Sequence, residues 1–212
     1  MKPLFLTITG IDDRTDLDRV VALSSKYPVE WGVLFTGNNY QKQRYPNNLK
    51  RIIDVGQSIF SAHLCNTYAK YAMSHDDKHN AITIAGHPIF RRVQINSSDY
   101  DMEQLKNFQS KIKKPVIMQI QEDFPETSTK PIYSLHDTSG GKGITPLSRP
   151  VQKATNGFVG YAGGIGPHNV SEVLKNLDAV DGYFWLDGET YFRTDDWLDL
   201  DKCEETCKLI WG

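Results

Sequence analysis

The sequence predicts a single α/β domain over residues 1–212, folded as a (β/α)8 TIM barrel with a shortened or missing fifth helix. Eight β-rich runs alternate with helical or loop connections, and no hairpin signal separates them, which indicates parallel strands joined by right-handed crossovers. Two Gly-rich turns follow the sixth and seventh runs, where barrels often bind phosphate. A doubly wound open sheet is the alternative, but its phosphate loop usually follows the first strand.

The first four strands are predicted from short runs rich in β-branched and aromatic residues. They cover residues 4–9, 31–36, 58–64 and 92–96. Apolar residues at helical spacing, such as Leu17, Val20 and Val21, predict the helices between them. Residues 74–80 read as a charged loop, and residues 82–85 are ambiguous between the end of a helix and a turn.

The last four strands are predicted over residues 115–120, 132–135, 158–161 and 183–186. Residues 102–112 carry a helical pattern between the fourth and fifth strands. Residues 121–130 are too short and too rich in Pro and Thr for a full helix, which predicts that the fifth helix is lost. A closing helix is expected over residues 199–211.

Composition excludes several classes of function. The formal net charge is -2, and no basic tract indicates a nucleic-acid or anionic-membrane partner. No apolar run approaches the roughly 18 residues that span a bilayer, and the first residues do not form a secretory signal, so a cytoplasmic protein is expected. Cys65, Cys203 and Cys207 form no disulfide framework, and core packing is favoured for the last two over a metal or redox pair.

The Gly-rich turn after the seventh predicted strand is the strongest local motif. Gly163 and Gly164 lie between a β-rich run and an apolar helix face, with Pro167 in the first helical turn. Backbone N–H groups of such a turn, together with the helix dipole, can bind an anion such as phosphate. A tight βα turn that binds nothing is the alternative.

In a barrel the active site collects where the strands end. The polar residues predicted at those ends are Thr9, Asp12, Thr36, His63, Asn96, Gln119 or Gln121, Asp137, Asp187 and Glu189. Asp137 is the main catalytic candidate, because it ends the sixth strand and precedes a glycine-rich loop that could close on a ligand. Its carboxyl group could act as general acid or base if burial raised its pKa, or it could merely cap a turn.

Other candidates carry competing interpretations. His63 and Cys65 could form a nucleophilic pair, although a polar pocket wall is favoured for His63. Arg44 could bind a carboxylate or phosphate, or it could be a solvated loop residue. His75 and His79 lie four apart but lack a third ligand, so a solvated surface is expected and no metal site is predicted.

Taken together, these motifs resemble phosphoribosylanthranilate isomerase, the barrel enzyme of tryptophan synthesis. The family's opening strand is similar to residues 7–12, its S-P-R-Y loop to residues 43–45, and its V-Q-L-H-G strand to residues 93–96. Its L-L-D strand with the G-G-x-G-K loop is similar to residues 135–143, its A-G-G-L-x-P-E-N-V phosphate turn to residues 162–170, and its eighth strand to residues 186 onward. The chain resembles most closely an uncharacterised bacterial subgroup, on runs such as A-H-L-C and G-Y-A-G-G.

The resemblance implies catalytic roles for two positions. It carries the family's general acid onto Asp137 and its cysteine base onto Thr9, whose hydroxyl is a very poor base near neutral pH. Asp12, Asp13 or His63 could replace that base. After the eighth strand, Glu189 and Tyr191 stand in the family's small S-S-G turn, which alters half of the phosphate cradle.

The predicted function is therefore a cofactor-independent isomerase or lyase that acts on a small phosphorylated, ribose-phosphate-type substrate by proton transfer. Asp137, Thr9 and Asp12 are the catalytic candidates. Arg44, His63, Asn96, Gly163, Gly164, Asp187 and Glu189 are the candidate ligand-binding residues. The alternative is a non-catalytic barrel that binds, senses or sequesters a nucleotide- or ribose-phosphate-derived ligand, and a ligand-free scaffold is a third possibility. A monomer or homodimer is expected.

Overall fold

The computed structural model describes residues 1–37, 42–74, 80–97, 99–126, 130–139, 143–146, 148–177 and 181–212. Eight parallel strands close into a barrel in the order β1 to β8, which confirms the predicted fold class. The strands are β1 Leu6–Thr9, β2 Val29–Phe35, β3 Phe60–Cys65, β4 Phe90–Asn96, β5 Val116–Ile120, β6 Ile132–His136, β7 Val159–Tyr161 and β8 Phe184–Gly188. β1 pairs with β8, so the sheet has no open edge.

Helices cover the outside of the barrel. They are α1 Leu17–Lys26, α2 Leu49–Asp54, α3 Thr67–Met73, α4 Ala81–Gly86, α5 Met102–Ile112, α6 Val170–Asn176 and α7 Leu200–Trp211. The ambiguous residues 82–85 thus belong to helix α4. The described residues between β5 and β6 contain no helix, as predicted, and those between β6 and β7 contain only a 3-10 turn at Ala154–Asn156.

One short hairpin, which the sequence does not predict, lies outside the eight barrel strands. Strands β9 (Arg193–Thr194) and β10 (Trp197–Leu198) pair antiparallel between β8 and α7. The turn residues Asp195 and Asp196 both have positive φ, at 50° and 61°. Aspartate tolerates this left-handed region, so the turn forms without the Asn-Gly or Asp-Gly pair that usually marks such a hairpin.

The barrel interior contains a small apolar cluster and a buried ion pair that contact each other. Ile117, Leu135, Ala162 and Trp185 form the apolar cluster. Arg92 and Glu30 form the ion pair: the Arg92 Nε atom lies 2.7 Å from the Glu30 carboxylate, and Arg92 Nη2 donates to the Thr7 hydroxyl at 2.8 Å. The guanidinium carbon of Arg92 also lies 4.5 Å from the Trp185 ring centroid. The ion pair is therefore buried inside the barrel and packs against an aromatic ring.

Among the described residues, each helix is too short or too polar to span a lipid bilayer. No group of three His, Cys, Asp or Glu side chains among these residues could hold a metal ion. Cys65, Cys203 and Cys207 are buried and carry free thiols. The segments that contain His75, His79 and residues 140–142 of the loop after Asp137 lie outside the described part.

Candidate active site at the barrel mouth

A cavity of about 940 Å³ opens at the carboxyl ends of the strands. The predicted site residues that line it are Thr9, Arg44, His63, Asn96, Asp137, Gly163, Gly164, Asp187 and Glu189. These residues come from strands or loops that are distant in sequence. The closed barrel brings them together because parallel strands all end on the same rim.

Asp12 does not belong to this cavity. Its carboxylate accepts hydrogen bonds from Arg193 Nη2 at 2.9 Å and from the Leu198 amide at 2.7 Å, and its side chain is fully buried. It also accepts from the Arg14 amide and the Thr15 hydroxyl. Asp12 therefore anchors the β9–β10 hairpin to the loop after β1, away from the residues that line the cavity, and its role as one of three possible replacements for the base stays a prediction.

Asp137 is held by donors on two neighbouring elements. Its Oδ2 atom accepts from Gln119 Nε2 at 2.5 Å, and its Oδ1 atom accepts from the Ser139 amide at 2.9 Å and the Ser139 hydroxyl at 2.6 Å. The Ser139 bonds form the turn cap that the sequence allowed as an alternative. The same bonds fix the carboxylate at the cavity wall, so the turn cap and a chemical role are compatible.

Asp187 is buried, and among the described contacts its carboxyl group has fewer hydrogen-bond donors than that of Asp137. Burial raises the pKa of its carboxyl group well above its ordinary value, and the charges of Asp137 and Glu189 add to this effect. The Arg92 charge and a hydrogen bond from Thr9, at 3.1 Å to Oδ1, oppose it. Two carboxyl groups thus face one cavity in different surroundings, which is the arrangement that separates proton donors from acceptors in acid–base sites.

His63 is buried and neutral. Burial, reinforced by the Arg92 charge, lowers the pKa of its imidazole to about 3. Its Nε2 atom lies 3.0 Å from the Ser61 hydroxyl. The Cys65 thiol contacts the backbone carbonyl of His63 rather than its ring, and burial raises the pKa of this thiol to about 12. The geometry does not bring these two side chains together as a nucleophilic pair, and His63 is a polar cavity wall.

Arg44 is engaged by the chain's own carboxylates. Its Nη1 atom donates to Glu189, and its Nη2 atom lies 2.5 Å from Asp196. Burial raises the pKa of Glu189, although the Arg44 charge opposes this shift. An anionic ligand group would have to displace one of these carboxylates to reach the Arg44 guanidinium.

The Gly-rich turn after β7 lines the same cavity. Gly163 and Gly164 have φ values of 90° and 64°, which favour glycine. A β-carbon at Gly164 would lie 2.3 Å from the Thr145 hydroxyl, so the chain after β6 packs directly on this turn. Asn169 ties the turn to the start of α6, because its Nδ2 atom donates to the Gly164 carbonyl at 2.8 Å.

Tyr191 packs against this turn and also lines the cavity. A β-carbon at Gly166 would lie 2.5 Å from the Tyr191 β-carbon, and the Tyr191 ring lies 4.3 Å from the His168 ring. The absence of a side chain at Gly166 thus leaves room for the Tyr191 side chain after β8. Gly163 and Gly164 still line the cavity.

The sequence reasoning missed three contributors to the site. Gln94 lines the cavity and donates to Asn96 Oδ1 at 2.9 Å. Its position two residues before Asn96 on one strand could have revealed this, because such residues share a face. The sequence does not indicate that Arg92 and Arg193 form buried ion pairs near the site, because arginine is more often solvated than buried.

The fold and the polar mouth define a (β/α)8 barrel of the kind that enzymes use. No protein-family model matches the chain, and the comparison with curated proteins finds no match. Among solved structures, the chain is similar to phosphoribosylanthranilate isomerase from Thermotoga maritima, with 14% identity, a TM-score of 0.63 and coverage of 99% of this chain and 98% of that one.

The corresponding enzyme from Pyrococcus furiosus is 17% identical, with a TM-score of 0.58 and coverage of 98% of both chains. A 3-hexulose-6-phosphate synthase from Salmonella typhimurium has 12% identity, a TM-score of 0.50 and coverage of 99% of this chain and 98% of that one. At these identities the similarity establishes the fold, and the function has to be argued from the site.

Proposed function

We propose that the chain is a cofactor-independent isomerase or lyase that acts on a small phosphorylated, ribose-type substrate by proton transfer at carbon. The observation that carries this proposal is the pair of carboxyl groups, Asp137 and Asp187, that face one cavity in different environments. The similar solved structures include isomerases of a phosphoribosyl compound, which makes this substrate class the first to test.

The two carboxyl groups take opposite roles. Asp187, whose pKa burial raises, enters the reaction as the proton donor, and its hydrogen bond from Thr9 holds it in place. Asp137, oriented by Gln119 and Ser139, accepts the proton from the substrate carbon. Thr9 then needs no basicity, because it stands beside the acid and orients it.

The phosphate group of the substrate is assigned to the turn at Gly163 and Gly164. This assignment is supported by their position on the cavity wall and by their backbone conformation. Arg44 is a weaker candidate for this contact, since Glu189 and Asp196 already neutralise its charge. Asn96, on the opposite wall, would contact the remainder of the substrate.

The proposal is tested by solvent isotope exchange. The protein is incubated in D2O with D-ribose 5-phosphate or D-ribulose 5-phosphate, and deuterium at the reacting carbon is followed by mass spectrometry. Incorporation should occur with the native chain and fall at least 100-fold in Asp137→Asn, because a general base contributes about 10²–10⁴-fold to rate. Asp123→Asn, at the cavity rim, is the matched control and should retain the rate. Saturated binding of both sugars without incorporation would reject the enzyme.

A second function is a barrel that binds or sequesters such a ligand without converting it. The observation that favours it is Thr9, which places a hydroxyl group rather than a base at the end of β1. Exchange and binding separate the two proposals, since a binding protein would hold the sugar phosphate and leave its carbon-bound hydrogen unexchanged. A monomer or homodimer in the cytoplasm remains the expected state for either function.

A further inference from the structure

Four cavity-lining side chains form a continuous polar arc around half of the barrel mouth. They are Asp187 on β8, Thr9 on β1, His63 on β3 and Gln94 on β4. Gly32 on β2 closes the gap between them, because a β-carbon there would lie 2.6 Å from Thr9 Oγ1 and 2.9 Å from His63 Nε2. His63 and Gln94 are register partners on adjacent strands.

The polar arc carries buried atoms that have no hydrogen-bond partner in the described part of the chain. These are His63 Nδ1, Gln94 Oε1 and Asp187 Oδ2. The three residues are only 1%, 5% and 5% exposed, so bulk water does not satisfy these atoms. Unpaired buried polar atoms are rare in folded proteins and destabilise them, so a cluster of three on a cavity wall favours a polar ligand group at this place.

Burial disfavours the charged forms of both ionisable side chains in the polar arc. Burial lowers the pKa of His63 to about 3 and raises the pKa of Asp187. The nearby Arg92 charge is matched by Glu30. A carboxylate or ammonium group placed against the polar arc would lose its hydration without gaining a counter-charge, whereas a hydroxyl group can both donate and accept there.

We propose that the polar arc is a subsite for an uncharged, hydroxyl-bearing segment of the ligand. The ligand then enters with its hydroxyl groups toward the barrel interior and with any charged group at the rim. This inference rests on the proposed function in one respect, namely that the mouth cavity is where the ligand binds. The inference does not require that the ligand react, and it applies equally to an enzyme and to a binding protein.

Two five-carbon probes test the subsite by titration calorimetry. Ribitol offers a hydroxyl on every carbon, whereas 1,5-pentanediol has the same chain length and only terminal hydroxyls. The native chain should bind ribitol at least tenfold more tightly. Gln94→Leu and His63→Leu should each weaken ribitol about tenfold, the effect of one hydrogen bond to a buried partner, and leave pentanediol within threefold. Leu135→Met, on the apolar wall, is the control and should preserve the ribitol preference.

Asp187→Asn separates this inference from the proposed function. An amide mimics the neutral acid in shape and hydrogen bonding, so ribitol affinity should stay within threefold while isotope exchange is lost. Ribitol binding without exchange in the native chain would retain the subsite and reject the enzyme. If the native chain exchanges deuterium but Gln94→Leu and His63→Leu prefer ribitol over pentanediol as strongly as the native chain does, the enzyme is retained and the subsite is rejected.

Folding of every variant is checked by circular dichroism and thermal unfolding. Where a leucine variant does not fold, Gln94→Met or His63→Met takes its place, because methionine also removes the strong hydrogen-bonding atoms. Equal affinity of the native chain for the two probes, or no binding of ribitol, overturns the proposal.

Discussion

The ion pair inside the barrel gives a large and specific stability prediction. The side chains of Arg92 and Glu30 are 7% and 6% exposed, so removing one partner leaves a buried charge. Such a loss costs about 3–5 kcal/mol, out of a total stability of about 5–15 kcal/mol. In Glu30→Leu, the rings of Phe5 and Trp185 and the Thr7 hydroxyl still contact the Arg92 guanidinium, which favours the lower end of this range.

The double variant Glu30→Leu/Arg92→Met should recover most of the stability that either single variant loses. Apolar replacement of a whole buried ion pair is often neutral or stabilising, because both desolvation costs disappear. Urea unfolding measures all four proteins, and the coupling energy should be about 3 kcal/mol or more. For a chain of this size, Glu30→Leu should lower Tm by about 6–20 °C. A single variant that loses less than about 1 kcal/mol, or a double variant that loses the sum of both singles, would refute the reasoning.

Three further predictions concern the site and its packing. Thr9→Cys should not raise the exchange rate more than about threefold, since the thiol would stand beside the acid; a gain of 100-fold measured in D2O would assign the base to this position. Gly160→Ala should lose about 1–3 kcal/mol in urea unfolding, because its β-carbon would lie 2.3 Å from Trp185, whereas Gly86→Ala, with open space around it, should be nearly neutral. Between about pH 6.5 and pH 3, the His63 imidazole takes up a proton in the unfolded chain but not in the folded one. The contribution of His63 to stability is therefore complete above about pH 6.5 and is lost as the pH falls toward 3. His63→Asn should reduce the slope of unfolding free energy against pH in that range by up to about 1.4 kcal/mol per unit; an unchanged slope would contradict the buried neutral histidine.

The barrel was predictable because its strands leave a local signal. Each strand is a short β-rich run between polar turns, and the alternation with helical segments implies parallel pairing. The strand ends then predict which residues lie on the rim. Asp137, Asp187 and His63 are predicted in this way, and they line the mouth cavity. The pattern of β-rich runs and the barrel topology together are sufficient to predict the strands and the residues at their ends.

The partners of these residues were not predictable, because they depend on long-range contacts. Asp12 follows β1, as a site residue would, but its carboxylate binds Arg193, 181 positions later, and so anchors the β9–β10 hairpin. Arg44 lies at the cavity, but Glu189, 145 positions later, binds its guanidinium. Sequence spacing gives no information on such pairings, which arise only when the barrel closes.

The central claim is that burial raises the pKa of Asp187 well above that of an ordinary aspartate, beside Asp137 in the mouth cavity. It is tested most directly by a 13C NMR titration of the aspartate side-chain carboxyl groups, with Asp187→Asn used to assign the signal. We predict that Asp187 titrates well above the ordinary aspartate value of about 3.9, and that Asp137→Asn moves its midpoint downward. A midpoint at or below 3.9 for Asp187 in the native chain would contradict the proposed division of roles between the two carboxyl groups.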